Sequence, residues 1–304
     1  MIDGYEVLIV GGGPAGLSAA LTLGRCNRRV LLCDSGKPRN AASTAVHGLL
    51  GHHGKSPKDL LSLGRRELGM LPTVACRNTE IVSVEARNDE FAFTAADGLQ
   101  GTARKILLAT GLVDDLPPIP GVEDYYGRSV HHCLYCDGFE YSGLPLAAYG
   151  VGDKGAGLAL MMRHWSDDIV LCTDAGQSPA EGQQLQLAAA GVRTIADPIA
   201  GLEGCAGRLQ AIRFQSGKVI TRTALFFSTG CKQSSPLSKA LNCARDKKGG
   251  IVIDPLTEET SVRGVYVAGD VSRDVLLVAV AIAEGAKAAV AINRSLLKAE
   301  GLLT

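Results

Sequence analysis

Cys133 and Cys136 stand three residues apart in His131-His132-Cys133-Leu134-Tyr135-Cys136-Asp137-Gly138, a spacing that can close a small disulfide. Such pairs often hold one thiol at a lowered pKa, so that thiolate, the nucleophile of disulfide exchange, exists near neutral pH. Zinc is the structural alternative. A structural zinc site takes four ligands, yet the sequence has no second C-x-x-C or C-x-x-H pair, and His131 and His132 lie too close to Cys133 to supply the missing half. Residue type and spacing therefore favour redox chemistry and no metal.

Two glycine-rich turns supply the second kind of chemistry. Residues 5–10 read as a buried strand, and Gly11-Gly12-Gly13-Pro14-Ala15-Gly16 leads directly into an apolar helical run over 17–24. In such a strand-turn-helix unit Gly11 permits the tight turn, Gly13 lets the backbone approach a pyrophosphate at the positive helix N-terminus, and Gly16 lets helix and strand pack closely. A second strand, Val30 to Asp34, ends in a carboxylate about 20 residues downstream, placed to accept from a ribose 2′-hydroxyl. The motif predicts a dinucleotide site and does not separate FAD from NAD.

The second turn is Gly150-Val151-Gly152-Asp153-Lys154-Gly155, after an expected strand over 144–149 and before a helix through Trp165 and a strand over 169–172. Its strand end, Cys172-Thr173-Asp174, lacks the arginines that would pair with an NADPH 2′-phosphate. Asp174 is either an acceptor for a ribose hydroxyl, favouring NADH, or a solvated loop carboxylate. Asp153 and Lys154 crowd the turn and keep open a third reading, a fold that binds no nucleotide. Gly150, Gly152, Gly155 and Asp174 are thus the candidate nicotinamide residues.

The rest of the composition narrows the classes. The chain has 304 residues, 46% of them apolar, enough for two domains with real cores. Lys and Arg (31) balance Asp and Glu (31), so no global charge recruits nucleic acid or an anionic membrane. No apolar run approaches the ~20 residues of a membrane helix, and the acidic start is unlike a secretion signal; a soluble cytoplasmic protein is expected. Seven of the nine cysteines are scattered singly, which is no disulfide scaffold, and Cys33 and Cys172 in apolar runs read as packing residues. The apolar run from Val275 to Ala283 reads as a core or interface helix.

Taken in order, the first glycine turn, Leu107-Leu108-Ala109-Thr110-Gly111, Cys-x-x-Cys-Asp-Gly, the second glycine turn, Phe226-Phe227-Ser228-Thr229-Gly230 and a strand ending at Gly269-Asp270 resemble the low-molecular-weight thioredoxin reductases, among the FAD-dependent pyridine nucleotide-disulfide oxidoreductases. The resemblance covers nearly the whole chain. It implies an α/β protein of two Rossmann-like three-layer dinucleotide-binding domains, the second inserted in the first: an FAD domain over 1–116 and 245–304, and a nicotinamide-type domain over 117–244 entered through the stiff Pro117-Pro118-Ile119-Pro120-Gly121. It also implies that Cys136 faces the flavin, Cys133 attacks the substrate disulfide, and Asp137 is the acid/base group; a turn residue before Gly138 is Asp137's simpler reading. FAD-binding positions implied are Gly11, Gly13, Pro14, Ala15, Gly16, Asp34, Ser35, Asn40, His47, Ala109, Thr110, Gly111, Gly269, Asp270, Val278 and Ala279.

The family's electrons run from nicotinamide to FAD to the disulfide and on to thioredoxin or a similar small redox protein, in a homodimer. Two stretches, Asp34 to Asn40 and Ala283-Glu284-Gly285-Ala286-Lys287-Ala288-Ala289, resemble a divergent branch that includes oxidases of small-molecule dithiols. Those typically carry histidine where this chain has Asp137, so the reductase direction is favoured. Dithiol oxidase and a non-enzymatic flavin redox sensor are the alternatives. His131 and His132 are read evenly as catalytic neighbours or as solvated side chains.

Overall fold

The computed structural model describes residues 4–272 and 275–304. The acidic start over 1–3 lies outside them. Two compact units result, the first built from the chain through Ala41, Leu49–Val113 and Lys232 onward, the second from Ala42–Gly48 and Asp114–Cys231.

In the first unit the strands are β1 (Tyr5–Val10), β2 (Val30–Cys33), β3 (Val74–Arg77), β4 (Ile81–Arg87), β5 (Glu90–Ala95) and β6 (Gln100–Leu108), with β7 (Leu112–Asp114) closing this part of the chain. Helices α1 (Pro14–Arg25) and α2 (Pro57–Leu68) intervene. The sheet order is β3-β2-β1-β6-β5-β4. β3, β2, β1 and β6 are parallel, whereas β4, β5 and the first half of β6 form an antiparallel meander. Val7, Leu8 and Ile9 are fully buried because β1 is covered on both faces, as the unbroken apolar run predicts.

The second unit contains β8 (Val130–His131), α3 (Leu134–Asp137), β9 (Leu146–Tyr149), α4 (Gly152–Met162), β10 (Ile169–Cys172), α5 (Glu181–Ala189), β11 (Arg193–Ile195), β12 (Ile199–Cys205), β13 (Arg208–Phe214), β14 (Val219–Thr221) and β15 (Ala224–Phe227). Its parallel sheet runs β11-β10-β9-β15-β8, beside an antiparallel β12-β13-β14 sheet. β16 (Cys231–Gln233) pairs with β7 in a two-stranded sheet, and α6 (Leu237–Ala240), β17 (Val265–Val267) and α7 (Val278–Ala299) complete the first unit, β17 adding to β6. The α/β expectation holds, with one Rossmann-like unit inserted in another.

The unit boundaries differ from those expected. The chain re-enters the first unit at Lys232, ahead of residue 245, because Leu237, Leu241 and Cys243 pack into the same core as Leu8 and Leu31. Ala42–Gly48 groups with the second unit, where a Cβ on Gly127 would stand 2.5 Å from the Ala42 carbonyl carbon. Neither long-range contact leaves a mark on local composition.

The apolar run from Val275 to Ala283 leads into α7 with only Ala281 buried, and the helix reaches the core further along. Ala281, Glu284, Gly285, Ala288, Ala289, Ile292 and Leu296 form the buried stripe of α7 at three- and four-residue spacing. Small residues bring it against α1: a Cβ on Gly285 would lie 2.1 Å from the Ala15 carbonyl oxygen, and Ser18 Oγ donates to the Ile282 carbonyl at 2.7 Å.

Beyond α7, Glu300 receives Arg28 (2.8 Å and 3.1 Å) and Arg104 (2.7 Å). The hydrogen bonds from Arg28, then Arg104, hold its carboxyl at about 2, below the ordinary 4.5. A folded value below the unfolded one means that the contribution is present above the ordinary glutamate range and disappears as pH falls from about 4.5 to about 2. Glu300→Gln is therefore expected to melt lower than the native protein at pH 7, with the gap closing on acidification through that window; a gap independent of pH in thermal scans counts against this linkage. Exposure keeps the effect small.

Candidate functional site

The cysteine pair sits where the second unit's edge strand ends. β8 pairs with β15 through Val130 with Leu225 and His131 with Phe226, and the chain then leaves the sheet at His132. Cys133 takes an extended backbone and caps the single turn α3, its sulfur accepting from the Cys136 N–H at 3.1 Å. That turn brings the Cα atoms of Cys133 and Cys136 to 5.3 Å, inside the range a disulfide spans, and the two are joined in one. Gly138 packs closely: a Cβ there would stand 3.0 Å from Leu134 Cδ1 and 3.2 Å from the Trp165 indole.

Asp137 is more than a turn residue. Its Oδ2 lies 3.3 Å from His131 Nδ1. His131 is only 5% exposed, stacks on Phe226 at 5.4 Å, and places Nε2 3.2 Å from the Tyr141 hydroxyl, which donates to the Arg128 carbonyl at 2.5 Å. The reading of His131 as a solvated side chain is corrected by this burial, which follows from its place on β8. His132 meets the Tyr126 hydroxyl at 3.1 Å and Asp114 Oδ2 at 3.6 Å, and Tyr126 donates to Asp114 at 2.9 Å. Tyr141, Tyr126 and Asp114 were not legible as neighbours, since no local pattern ties them to the cysteines.

The other thiols are of a different kind. Burial pushes Cys33 and Cys172 up to about 12, so both stay protonated packing groups, as their apolar surroundings predict. Cys243 is likewise pushed up by burial.

In the first unit, Gly11 through Gly16 form the predicted turn. Gly11 has φ +108°, and a Cβ there would lie 2.2 Å from the Ala109 carbonyl oxygen; one on Gly16 would lie 1.9 Å from the Gly11 carbonyl oxygen. Gly13 differs. A Cβ on it meets nothing within 4 Å, and it precedes α1 with no side-chain cap, Pro14 opening the helix. The approach to the N-terminus of α1 at Gly13 is therefore open, the arrangement that receives a pyrophosphate.

Asp34 follows β2 as expected, and Arg65 Nη2 reaches its Oδ2 at 2.5 Å while the Gly36 N–H reaches its Oδ1 at 3.2 Å. Asp34 and Arg65 border a cavity of about 270 Å3 whose floor includes Leu32, Leu68 and Val74. Ser35 is exposed and Asn40 half-buried. Asp270 pairs with Arg39 at 2.8 Å, and the Gly269 N–H donates at 2.6 Å to the buried carboxylate of Glu284. Arg39 and Glu284 lie inside the two stretches singled out in the sequence, though nothing there marked them as partners of this turn.

The remaining positions fall in two places. The carbonyls of Thr110 and Gly111 accept from Ser234 Oγ, at 2.5 Å and 3.1 Å, just after Ala109. Val278 and Ala279 open α7, whose N-cap Leu277 gives no side-chain bond. His47 belongs instead to the second unit and lies 3.3 Å from Glu140.

The second glycine turn has the same close approaches, a Cβ on Gly155 lying 2.4 Å from the Gly150 carbonyl oxygen. Its helix end is filled by the chain itself. The Gly152 N–H donates to the Gln177 carbonyl at 2.7 Å, and the Asp153 carboxylate accepts from the Ala180 N–H at 2.8 Å. Asp174 is no solvated loop carboxylate, because Tyr149 donates to one of its oxygens at 2.9 Å and the Ile199 N–H to the other at 2.7 Å. Both bonds hold the turn after β10 in place.

Comparison with known proteins gives a consistent result. Residues 5–285 match the family model for pyridine nucleotide-disulphide oxidoreductases. A thioredoxin reductase, tcpT, of Claviceps purpurea is 32% identical over 87% of this chain and 86% of its own length. The crystal structure of the Bacillus anthracis protein TrxB superposes with a TM-score of 0.91 at 29% identity, covering 97% of this chain and 99% of its own. An oxidoreductase from Agrobacterium tumefaciens gives 0.89 at 32% identity, with coverage of 97% and 99%.

Proposed function

Because the chain belongs to the pyridine nucleotide-disulphide oxidoreductase family and is thioredoxin-reductase-like, we propose that it is an FAD-dependent disulfide oxidoreductase passing electrons through the Cys133/Cys136 disulfide to thioredoxin or a similar small disulfide. The observation that carries this reading is that disulfide, held in one helical turn with Asp137 following its second sulfur. The first glycine turn fits FAD: the open backbone at Gly13 and α1 would hold the pyrophosphate, Asp34 a ribose, and the Gly269-Asp270 turn, fixed by Glu284, the remainder of the chain to the flavin.

When bound, the flavin supplies or accepts the electron pair. The protein's own part is thiol chemistry: Cys133 as the thiolate that attacks a substrate disulfide, Cys136 as the resolving sulfur beside the flavin, and Asp137 as the group that gives or takes the sulfur proton. Scattered free thiols fit a reducing cytoplasmic setting, and among the described residues no helix is long and apolar enough to cross a membrane. A homodimer is part of the proposal.

At the second turn the Gln177 carbonyl already accepts from the first amide of α4, where a nicotinamide dinucleotide would bring its pyrophosphate. This favours one second reading, in which a dithiol reduces the disulfide and the electrons leave through the flavin to oxygen.

Anaerobic titration of the yellow protein separates the donors. We expect dithiothreitol to bleach the flavin band promptly and NADPH and NADH to do so slowly or not at all. Prompt bleaching by either nicotinamide overturns the closed second turn; bleaching by no donor overturns the disulfide-to-flavin path. Return of colour on admitting air, with the dithiol consumed over many turnovers, selects the oxidase direction.

A further inference from the structure

Tyr141 has one hydroxyl hydrogen, and the geometry decides where it goes. The Arg128 carbonyl is 2.5 Å away and His131 Nε2 is 3.2 Å away, so the hydrogen points to the carbonyl. Burial first, then the charges of Asp137 and Glu140, against the opposing charge of Arg208, push the phenol up to about 12; it remains a neutral O–H. The Tyr141 oxygen can therefore only accept from His131, and His131 Nε2 carries a hydrogen.

That assignment fixes the opposite nitrogen. If Nδ1 and Asp137 were both unprotonated, two lone pairs would face each other at 3.3 Å beside a ring that is 5% exposed, an arrangement that burial penalises. One proton between them removes the conflict, whether as imidazolium with carboxylate or imidazole with carboxylic acid. We propose that His131 and Asp137 share a single proton and deliver it to the sulfur expelled from the substrate disulfide, with Tyr141 as the residue that orients His131. An isolated aspartate, ionised above pH ~3.9, would have no proton to give at neutral pH.

The exchange balances on this store. The Cys133 thiolate bonds to one substrate sulfur, the substrate S–S bond breaks, and its electron pair stays on the other sulfur, which takes the shared proton and leaves as a thiol. Cys136 then gives its own proton to the emptied pair. Its thiolate closes on Cys133, and the second substrate sulfur leaves as thiolate. One disulfide has been reduced, the enzyme dithiol has been oxidised, and the pair holds its proton again. His131 and Tyr141 are assigned to positioning Asp137, through the contacts of His131 with Asp137 and Tyr141. The inference rests on the reading of Asp137 as the acid/base group.

Leaving-group demand provides the test. Holoenzyme is reduced with dithiothreitol, freed of excess reductant anaerobically, and mixed at pH 7.5 with bis(2-hydroxyethyl) disulfide, whose alkyl thiolate needs a proton, or with 5,5′-dithiobis(2-nitrobenzoate), whose acidic aryl thiolate does not. His131→Gln is expected to slow the alkyl reaction at least ~10-fold, toward the ~10²-fold typical of lost general acid catalysis, with the aryl reaction within ~2-fold. Tyr141→Phe, a milder change to the fold, is expected to show the same selectivity at smaller amplitude. Equal loss with both disulfides, or no loss with either, in both variants overturns the shared proton. Asp137→Asn distinguishes the two layers: no selective loss in it sinks the reading of Asp137 itself, whereas selective loss in it without any in His131→Gln sinks only the part given to His131.

Discussion

Cys133→Ser and Cys136→Ser are each expected to abolish turnover with any disulfide or dithiol, by at least ~10³-fold, while both proteins remain folded and yellow. The loss is large because each sulfur forms or breaks the reacting bond, and removal of such a group leaves only binding behind. The fold survives because a four-residue loop closed by a disulfide stabilises by only ~2 kcal/mol, and neither cysteine belongs to the buried cores of the second unit. The two variants should also differ from each other. On the proposal that Cys136 is the flavin-side sulfur, Cys133→Ser is expected to leave a lone thiolate there and add long-wavelength absorbance to the flavin spectrum, and Cys136→Ser is not. Stopped-flow turnover and spectra of the purified variants check both points. Retained turnover in either variant removes the disulfide from the electron path, and the reverse spectral pattern exchanges the roles of the two sulfurs.

The second large effect contrasts two glycines of one turn. Gly13→Val is expected to give a folded, colourless protein with less than ~10% of the native flavin content. The backbone at Gly13 (φ −74°, ψ −174°) suits any residue, and a Cβ there meets no atom within 4 Å. The added side chain instead fills the space in front of the α1 amides, where a pyrophosphate must come closest. The cost to the apoprotein is that of a poorer N-cap, about 1 kcal/mol. Gly16→Val should act on the fold, because its Cβ would stand 1.9 Å from the Gly11 carbonyl oxygen, and backbone at that distance has no flexible end to move. Bound flavin per chain and thermal unfolding of the apoproteins separate the two. A Gly13→Val protein that keeps its colour removes the pyrophosphate from this turn, and a soluble Gly16→Val protein with native melting removes the packing argument.

These predictions stand on features of different legibility. Glycines that must turn the chain, approach a ligand or admit a neighbouring strand leave a local signature, because strand, turn and helix lie within about 20 residues of one another and each constrains the next. The two units, their order and the redox pair could be read for that reason. The apolar run from Val275 to Ala283 was legible as the start of a helix, and tertiary structure placed the buried stripe of α7 further along by seating Gly285 on Ala15.

Partners distant in sequence were another matter. Asp270 and Arg39 are 231 positions apart, and Asp34 and Arg65 are 31 apart; any of the chain's cations would have served as well on paper. Asp174 could be read as a nucleotide acceptor or a solvated carboxylate, and packing made it a brace between Tyr149 and Ile199. His131 could be read as solvated, and the edge strand β8 laid it against Phe226 with its two nitrogens aimed at Asp137 and Tyr141. By itself the sequence determined which groups could do chemistry and which turns could meet a dinucleotide, since both depend on short-range covalent geometry. Only the tertiary structure decided which carboxylates are engaged within the fold and which histidine lies buried against Asp137, because those properties belong to burial and to contacts between segments that local pattern does not encode.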